Sequence, residues 1–140
     1  PQMAERQYGR VINIASVHGL VASAAKSPYV AAKHGVVGMT KVAALEYASV
    51  GSRATGGVTI NAICPGWVET ALIEPQIQAR VDKFDGDRAA GVADLLQEKQ
   101  PSLRMASPAD IGALALFLTD NAAHNINGAA IPVDGAWTAQ

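Results

Sequence analysis

Tyr29 and Lys33 stand four residues apart in the run Ser27-Pro28-Tyr29-Val30-Ala31-Ala32-Lys33-His34-Gly35, and Ser16 precedes Tyr29 by thirteen residues. On a helix that spacing brings two side chains onto one face. A phenol, an ammonium and a hydroxyl gathered around one point make a proton-transfer site. An enzyme that moves hydride from a secondary alcohol must also remove the hydroxyl proton, and a free tyrosine, with a pKa of about 10, is a poor base near neutrality. A lysine ammonium about 4–5 Å away, at an effective dielectric of about 20, favours phenolate by roughly 3–4 kcal/mol. The phenol then approaches the range in which general-base catalysis works. Taken alone, the pair is equally well a boundary tyrosine and a solvated lysine. Ser16 at the end of an apolar run, and the later run Asn61-Ala62-Ile63-Cys64-Pro65-Gly66-Trp67-Val68-Glu69-Thr70, tip the reading toward chemistry.

The elements that must hold these groups are legible in outline. Val11–Ala15 is a continuous, β-branched apolar run, as expected of a strand buried on both faces of a parallel sheet. Ser16 at its carboxyl end lies where open α/β sheets bind ligands. Ser27 offers an N-cap hydroxyl and Pro28 suits the first turn, so a helix is expected from there to about Ala48. Its apolar residues spread over more than one side, which predicts packing on the sheet and on a partner subunit. Gly35 and Gly38 each cost a helix about 1 kcal/mol, which close backbone packing would justify. Ser49–Gly57 reads as an exposed loop, and Val58–Ile63 as a second strand closed by Pro65-Gly66. Residues 68–105 are weakly patterned, with helical patches such as Arg88–Lys99, and read as a mobile excursion. Ser107-Pro108-Ala109-Asp110 opens a helix with the apolar face Ile111, Leu114, Ala115, Leu118, and Ala129–Val133 gives a third strand. Alternation of strand and helix points to an α/β fold with a parallel sheet.

Composition narrows the function classes. At 140 residues, 49% hydrophobic and 16% charged, the chain suits one domain with a real core. A net charge of −1 without a basic stripe leaves no footprint for nucleic acid. Cys64 is the one cysteine, so no internal disulfide forms and no cysteine pair offers a metal site. No apolar run reaches membrane-spanning length, and no signal peptide opens the chain, which makes the cytoplasm the expected compartment. Only ten residues precede Val11, which suggests that an earlier part of the fold belongs before it.

On Ser16, Tyr29, Lys33 and the Pro65–Thr70 run, the chain resembles the short-chain dehydrogenase/reductase family over essentially all 140 residues. The resemblance implies the C-terminal part of a Rossmann-type doubly wound parallel sheet, without the nucleotide-binding half. It implies that Tyr29 is the acid/base, that Lys33 also binds the nicotinamide ribose, and that Ser16 positions the carbonyl. The cofactor, NAD, would meet Tyr29, Lys33, Pro65, Gly66, Val68 and Thr70. Gly66 would let backbone approach a flat ring, and Thr70 could bond an amide or phosphate. The family's Gly-rich phosphate loop and its fourth catalytic residue, an asparagine, have no counterpart here. Within the family the chain most resembles members that interconvert D-3-hydroxybutyrate and acetoacetate. There His18, Lys26 and Gln76 match residues that hold the substrate carboxylate, while Trp67 and Trp137 match aromatic pocket walls. A short hydroxy acid has one strong handle, and a cationic donor cluster suits it. The resemblance further implies a homotetramer and a small hydroxy-acid or keto-acid substrate, with residues 68–105 as a lid. Alternatives are a reductase for carrier-bound acyl chains, for which a basic docking surface is missing, and a non-catalytic half-domain acting in assembly.

Overall fold

The computed structural model describes residues 1–139. A short helix α1 (Gln2–Glu5) leads into β1 (Tyr8–Ile14), which lies beside β2 (Gly57–Pro65), and β2 beside β3 (Ala130–Val133). All pairings are parallel, in the order β1-β2-β3, with Ile14 opposite Ile63 and Pro65 opposite Val133. Every residue of β2 after Gly57 is buried. Its unalternating apolar run is what two covered faces require.

The period of two along β2 sorts its side chains between two layers. Val58, Ile60, Ala62 and Cys64 pack under α2 (Ser27–Tyr47), against Val37 and Ala44. Ile63 faces the other way, against Leu118, Ile111, Leu114 and Ala115 of α5 (Pro108–Thr119). The result is a helix–sheet–helix sandwich. The capping box holds as read: Ser107 Oγ accepts the Asp110 amide at 3.1 Å, and Asp110 accepts the Ser107 amide at 2.7 Å. Asn61 ties strand to loop, donating to the Ile126 carbonyl and accepting from the Ala129 amide. Cys64 is fully buried, and burial pushes its thiol pKa up.

Two expectations are corrected. Ser27 is not the N-cap but the first helical residue, because the helix ladder already begins at the Lys26 carbonyl, which accepts the Val30 amide. Gly35 and Gly38 do not serve close packing within this chain. Beyond the backbone of their own helix, no heavy atom lies within 4 Å of where a Cβ would stand on either, and both sit on the exposed side of α2. In residues 68–105 the helical patch expected at Arg88–Lys99 is present, and a second helix precedes it. The segment folds as α3 (Glu74–Val81) and α4 (Arg88–Gln97) around a core of its own, Ile73, Ile77, Val81 and Leu95. Gly91 lets the two helices meet, since a Cβ there would come within 2.7 Å of the Val81 amide nitrogen. Charged clasps mask this amphipathic pattern in the sequence: Arg80 pairs with Asp94 and Glu98 at 2.6 Å each, and Arg88 with Glu74.

Candidate active site

β1 runs one residue short of Ala15, and Ser16 follows in extended conformation at the carboxyl edge of the sheet. The Ser16 hydroxyl accepts the His18 amide at 3.1 Å, which starts a single tight turn, Val17–Gly19. As acceptor in that bond it keeps its own proton to offer. Gly19 presses this turn onto α2: a Cβ there would lie 2.8 Å from the Lys33 carbonyl oxygen and 2.9 Å from Val37. That contact sets the distance between the Ser16 loop and the first two turns of α2.

Tyr29 and Lys33 stand on those turns. Lys33 donates to the Ile14 carbonyl at 3.2 Å, and its ammonium lies 5.7 Å from the centre of the Tyr29 ring. The lysine is half-buried and held at the strand end, while Tyr29 is 46% exposed and open to a ligand. The fold therefore gathers the hydroxyl, phenol and ammonium at one sheet edge.

His18 joins them. Its ring stands edge-on to Tyr29, with centroids 5.8 Å apart, and edge-on to Trp137 at 5.5 Å. Trp67 lies 5.9 Å from Trp137, and the Lys26 ammonium sits 5.8 Å from the Trp67 ring centre. Four of the five residues read as substrate contacts, His18, Lys26, Trp67 and Trp137, thus form one connected group. The fifth, Gln76, is exposed on α3 and makes no hydrogen bond among the described residues. Burial, followed by the nearby Lys26, Lys99 and His34 charges, lowers the His18 pKa from its ordinary 6.5. The Trp67 indole N–H is buried without a partner among the described residues. A buried unpaired donor is costly, and a ligand acceptor would satisfy it.

Of the residues read as cofactor contacts, Pro65 ends β2, and Val68 bridges Ala106 at the root of the α3–α4 segment. Thr70 is exposed, and its backbone carbonyl opens the turn Ala71–Ile73. Gly66 has a structural reason of its own within the chain. Protein already fills the space beside it, with Gln100 Oε1 at 2.7 Å and Asp134 Cα at 2.9 Å from a would-be Cβ.

Several participants carried no role in the sequence reading. Gln100, 2% exposed, accepts the Trp67 amide at 3.0 Å and donates to the Arg104 carbonyl. Asp134 accepts the Ala136 and Thr138 amides and the Thr138 hydroxyl, fixing the turn that carries Trp137. Lys99 donates to Ser23 Oγ at 2.7 Å, and Ser23 Oγ lies 2.9 Å from His18 Nε2. A buried Gln between a charged run and a proline was the available signal for Gln100. Lys99 and Ser23 gave none, because residues 76 apart meet only through the fold. A cavity of about 690 Å³ lined by Lys41, Arg53 and His124 shares no residue with this group.

A hydroxyl, a phenol and an ammonium at the carboxyl edge of a parallel sheet are the arrangement that a class of oxidoreductases requires. The family model described as enoyl-(acyl carrier protein) reductase matches residues 1–138, and the chain belongs to the short-chain dehydrogenase/reductase family. It is 51% identical over 140 residues to D-beta-hydroxybutyrate dehydrogenase of Cupriavidus necator, covering all of this chain and 52% of that one. Among solved structures it is similar to 4-hydroxyisoleucine dehydrogenase complexed with NADH, with a TM-score of 0.80 and 30% identity over 99% of this chain and 51% of that one. It is also similar to ElxO with NADP bound, with a TM-score of 0.77 and 27% identity over 99% of this chain and 50% of that one. The chain spans about half the length of the relatives it matches. Both parallel-sheet fold and family are thus as the motifs implied.

Proposed function

We propose that these residues form the catalytic and substrate-binding part of a dehydrogenase that interconverts D-3-hydroxybutyrate and acetoacetate with NAD. The observation that carries the reading is the gathering of Lys26, His18, Trp67 and Trp137 beside Tyr29. A short hydroxy acid needs a cationic grip on its carboxylate, apolar walls around its methyl end, and a proton acceptor at its hydroxyl. The 51% identity to a D-beta-hydroxybutyrate dehydrogenase supports the same substrate.

The residues present fit the nicotinamide end of the cofactor. Half-buried Lys33 and exposed Tyr29 offer an ammonium and a phenol on one helix face at the sheet edge. Lys33, with Pro65, Val68 and Thr70 beyond it, would hold the cofactor there; when bound, it accepts or returns the hydride. The protein residues handle the proton. Tyr29 takes it from the substrate hydroxyl, Lys33 steadies the phenolate, and Ser16 directs its hydroxyl hydrogen to the substrate oxygen as that oxygen becomes a carbonyl. Lys26 and the neutral His18 ring hold the carboxylate, and the Trp67 indole N–H adds a donor at that end. Gln76 joins the clamp only if the α3–α4 pair closes over the substrate, excluding water from the hydride path. No helix among the described residues is long and apolar enough to cross a membrane. The reading takes the cytoplasm as the compartment, and a homotetramer as the assembly.

The test is Lys26→Ala in the full-length protein. Losing a hydrogen bond to a charged group should weaken transition-state binding by roughly 1.5–3 kcal/mol. The loss should appear mainly as raised KM, because the clamp holds ground and transition states alike. Unchanged KM for 3-hydroxybutyrate would remove the carboxylate from the account.

A further inference from the structure

We propose that Lys99, acting through Ser23, is a positioning residue that holds His18 as the tautomer protonated on Nδ1, with Nε2 as acceptor. The inference deepens the carboxylate-binding reading above and rests on it for its function, though not for its geometry. Its basis is the set of donors and acceptors that meet at Ser23.

Ser23 Oγ lies 2.7 Å from the Lys99 ammonium and 2.9 Å from His18 Nε2. An ammonium only donates, so Ser23 Oγ must accept from Lys99. The serine has one proton of its own, and among the described residues His18 Nε2 is the partner within reach to accept it. A ring nitrogen that accepts carries no hydrogen, so in the neutral ring the hydrogen sits on Nδ1. Nδ1 has no hydrogen-bond partner among the described residues. The relay therefore leaves one imidazole N–H free to meet a ligand.

The ring must also stay neutral for this arithmetic to hold. The charged and titratable groups around it are Lys26, Lys99, His34 and the phenol of Tyr29, and among the described residues no carboxylate bears on it. Burial and three cationic neighbours all oppose a second proton on His18. Lys99 follows directly on α4 and also lies 5.6 Å from the Trp137 ring centre. One side chain thus connects the α3–α4 segment, the Ser23 loop and the C-terminal turn. Removing it would leave the ring free to turn over or change tautomer.

Imidazole nitrogen correlation spectra of the full-length protein, recorded without substrate, read the tautomer directly. The wild type should give His18 protonated on Nδ1. Ser23→Ala keeps the Lys99 charge but cuts the relay, and Lys99→Met removes both; each should move the ring toward Nε2 protonation. Lys99→Arg should restore the Nδ1 form. With 3-hydroxybutyrate, Lys99→Met should raise KM about tenfold, the equivalent of one hydrogen bond to a charged group, with a smaller fall in kcat. A wild-type ring protonated on Nε2, a tautomer indifferent to both substitutions, or equal effects on KM and kcat would overturn the proposal. The spectra involve no turnover. A relay seen in a protein that ignores hydroxy acids would therefore sink the substrate reading alone, while an absent relay in an active dehydrogenase would sink this one alone.

Discussion

In the proposed mechanism Tyr29 and Lys33 divide the labour of one proton transfer, and their substitutions should separate it. Tyr29→Phe in the full-length protein should abolish turnover while leaving cofactor affinity nearly intact, because only the proton relay is lost. Lys33→Ala should damage both, since on the proposed reading that ammonium would steady the phenol and hold the ribose. Steady-state rates with cofactor titrations check this; equal and mild effects would refute the roles. His18 makes a second prediction. Its pKa is lowered in the folded chain from 6.5, first by burial and then by Lys26, Lys99 and His34. The unfolded chain therefore binds this proton at higher pH than the folded one. The resulting stability is fully present above about pH 6.5 and is lost as pH falls from there through the lowered folded value. Denaturant midpoints against pH should show less acid sensitivity in His18→Gln than in wild type. At this scale the common placement of Ser16, Tyr29 and Lys33 was legible in the sequence, because a helix turn and a strand end fix their relation locally. The sequence did not reveal Lys99 and Ser23, whose meeting depends on where α4 ends relative to the Val17–Lys26 loop.

Among the elements, β2 and α5 were the most legible. β2 is an uninterrupted apolar run, and α5 carries both its cap and its apolar face in consecutive residues. The helices α3 and α4 were obscured. They have eight and ten residues, and ion pairs with partners fourteen to eighteen residues away dominate their surfaces. The core between them should nevertheless be what holds them. Ile77 is 1% exposed, and Ile77→Ala should cost about 2–4 kcal/mol. Arg88→Ala, which removes a solvent-exposed pair with Glu74, should change stability little. Urea unfolding of both variants distinguishes a packed core from an electrostatic clasp; a larger loss in the arginine variant would reverse the assignment.

At the scale of the whole molecule, α2 leaves an unfilled face. Gly35, Gly38, Met39, Val42 and Leu45 lie on it, with Met39 57%, Val42 55% and Leu45 79% exposed. Their spacing follows one side of a helix, and the two glycines would let a neighbouring backbone approach closely. The proposed homo-oligomer would cover this face. Sedimentation of the full-length protein at micromolar concentration should give an oligomer that Leu45→Asp weakens, and a wild-type monomer would contradict that assembly. The wide apolar pattern of α2 was legible from composition, whereas its division between sheet and surface emerged only once Val37, Thr40 and Ala44 were seen beneath it.

On the proposed reading, the Lys26–His18 end of the pocket recognises a free carboxylate beside the Tyr29 proton site. Comparing turnover of 3-hydroxybutyrate with that of its methyl ester, in wild type and Lys26→Ala, measures this most directly. Esterification should reduce kcat/KM by about as much as deleting Lys26, roughly 1.5–3 kcal/mol, and combining the two should cost little more. If the ester is turned over as well as the free acid, the hydroxy-acid account fails and a carrier-bound or neutral carbonyl substrate replaces it.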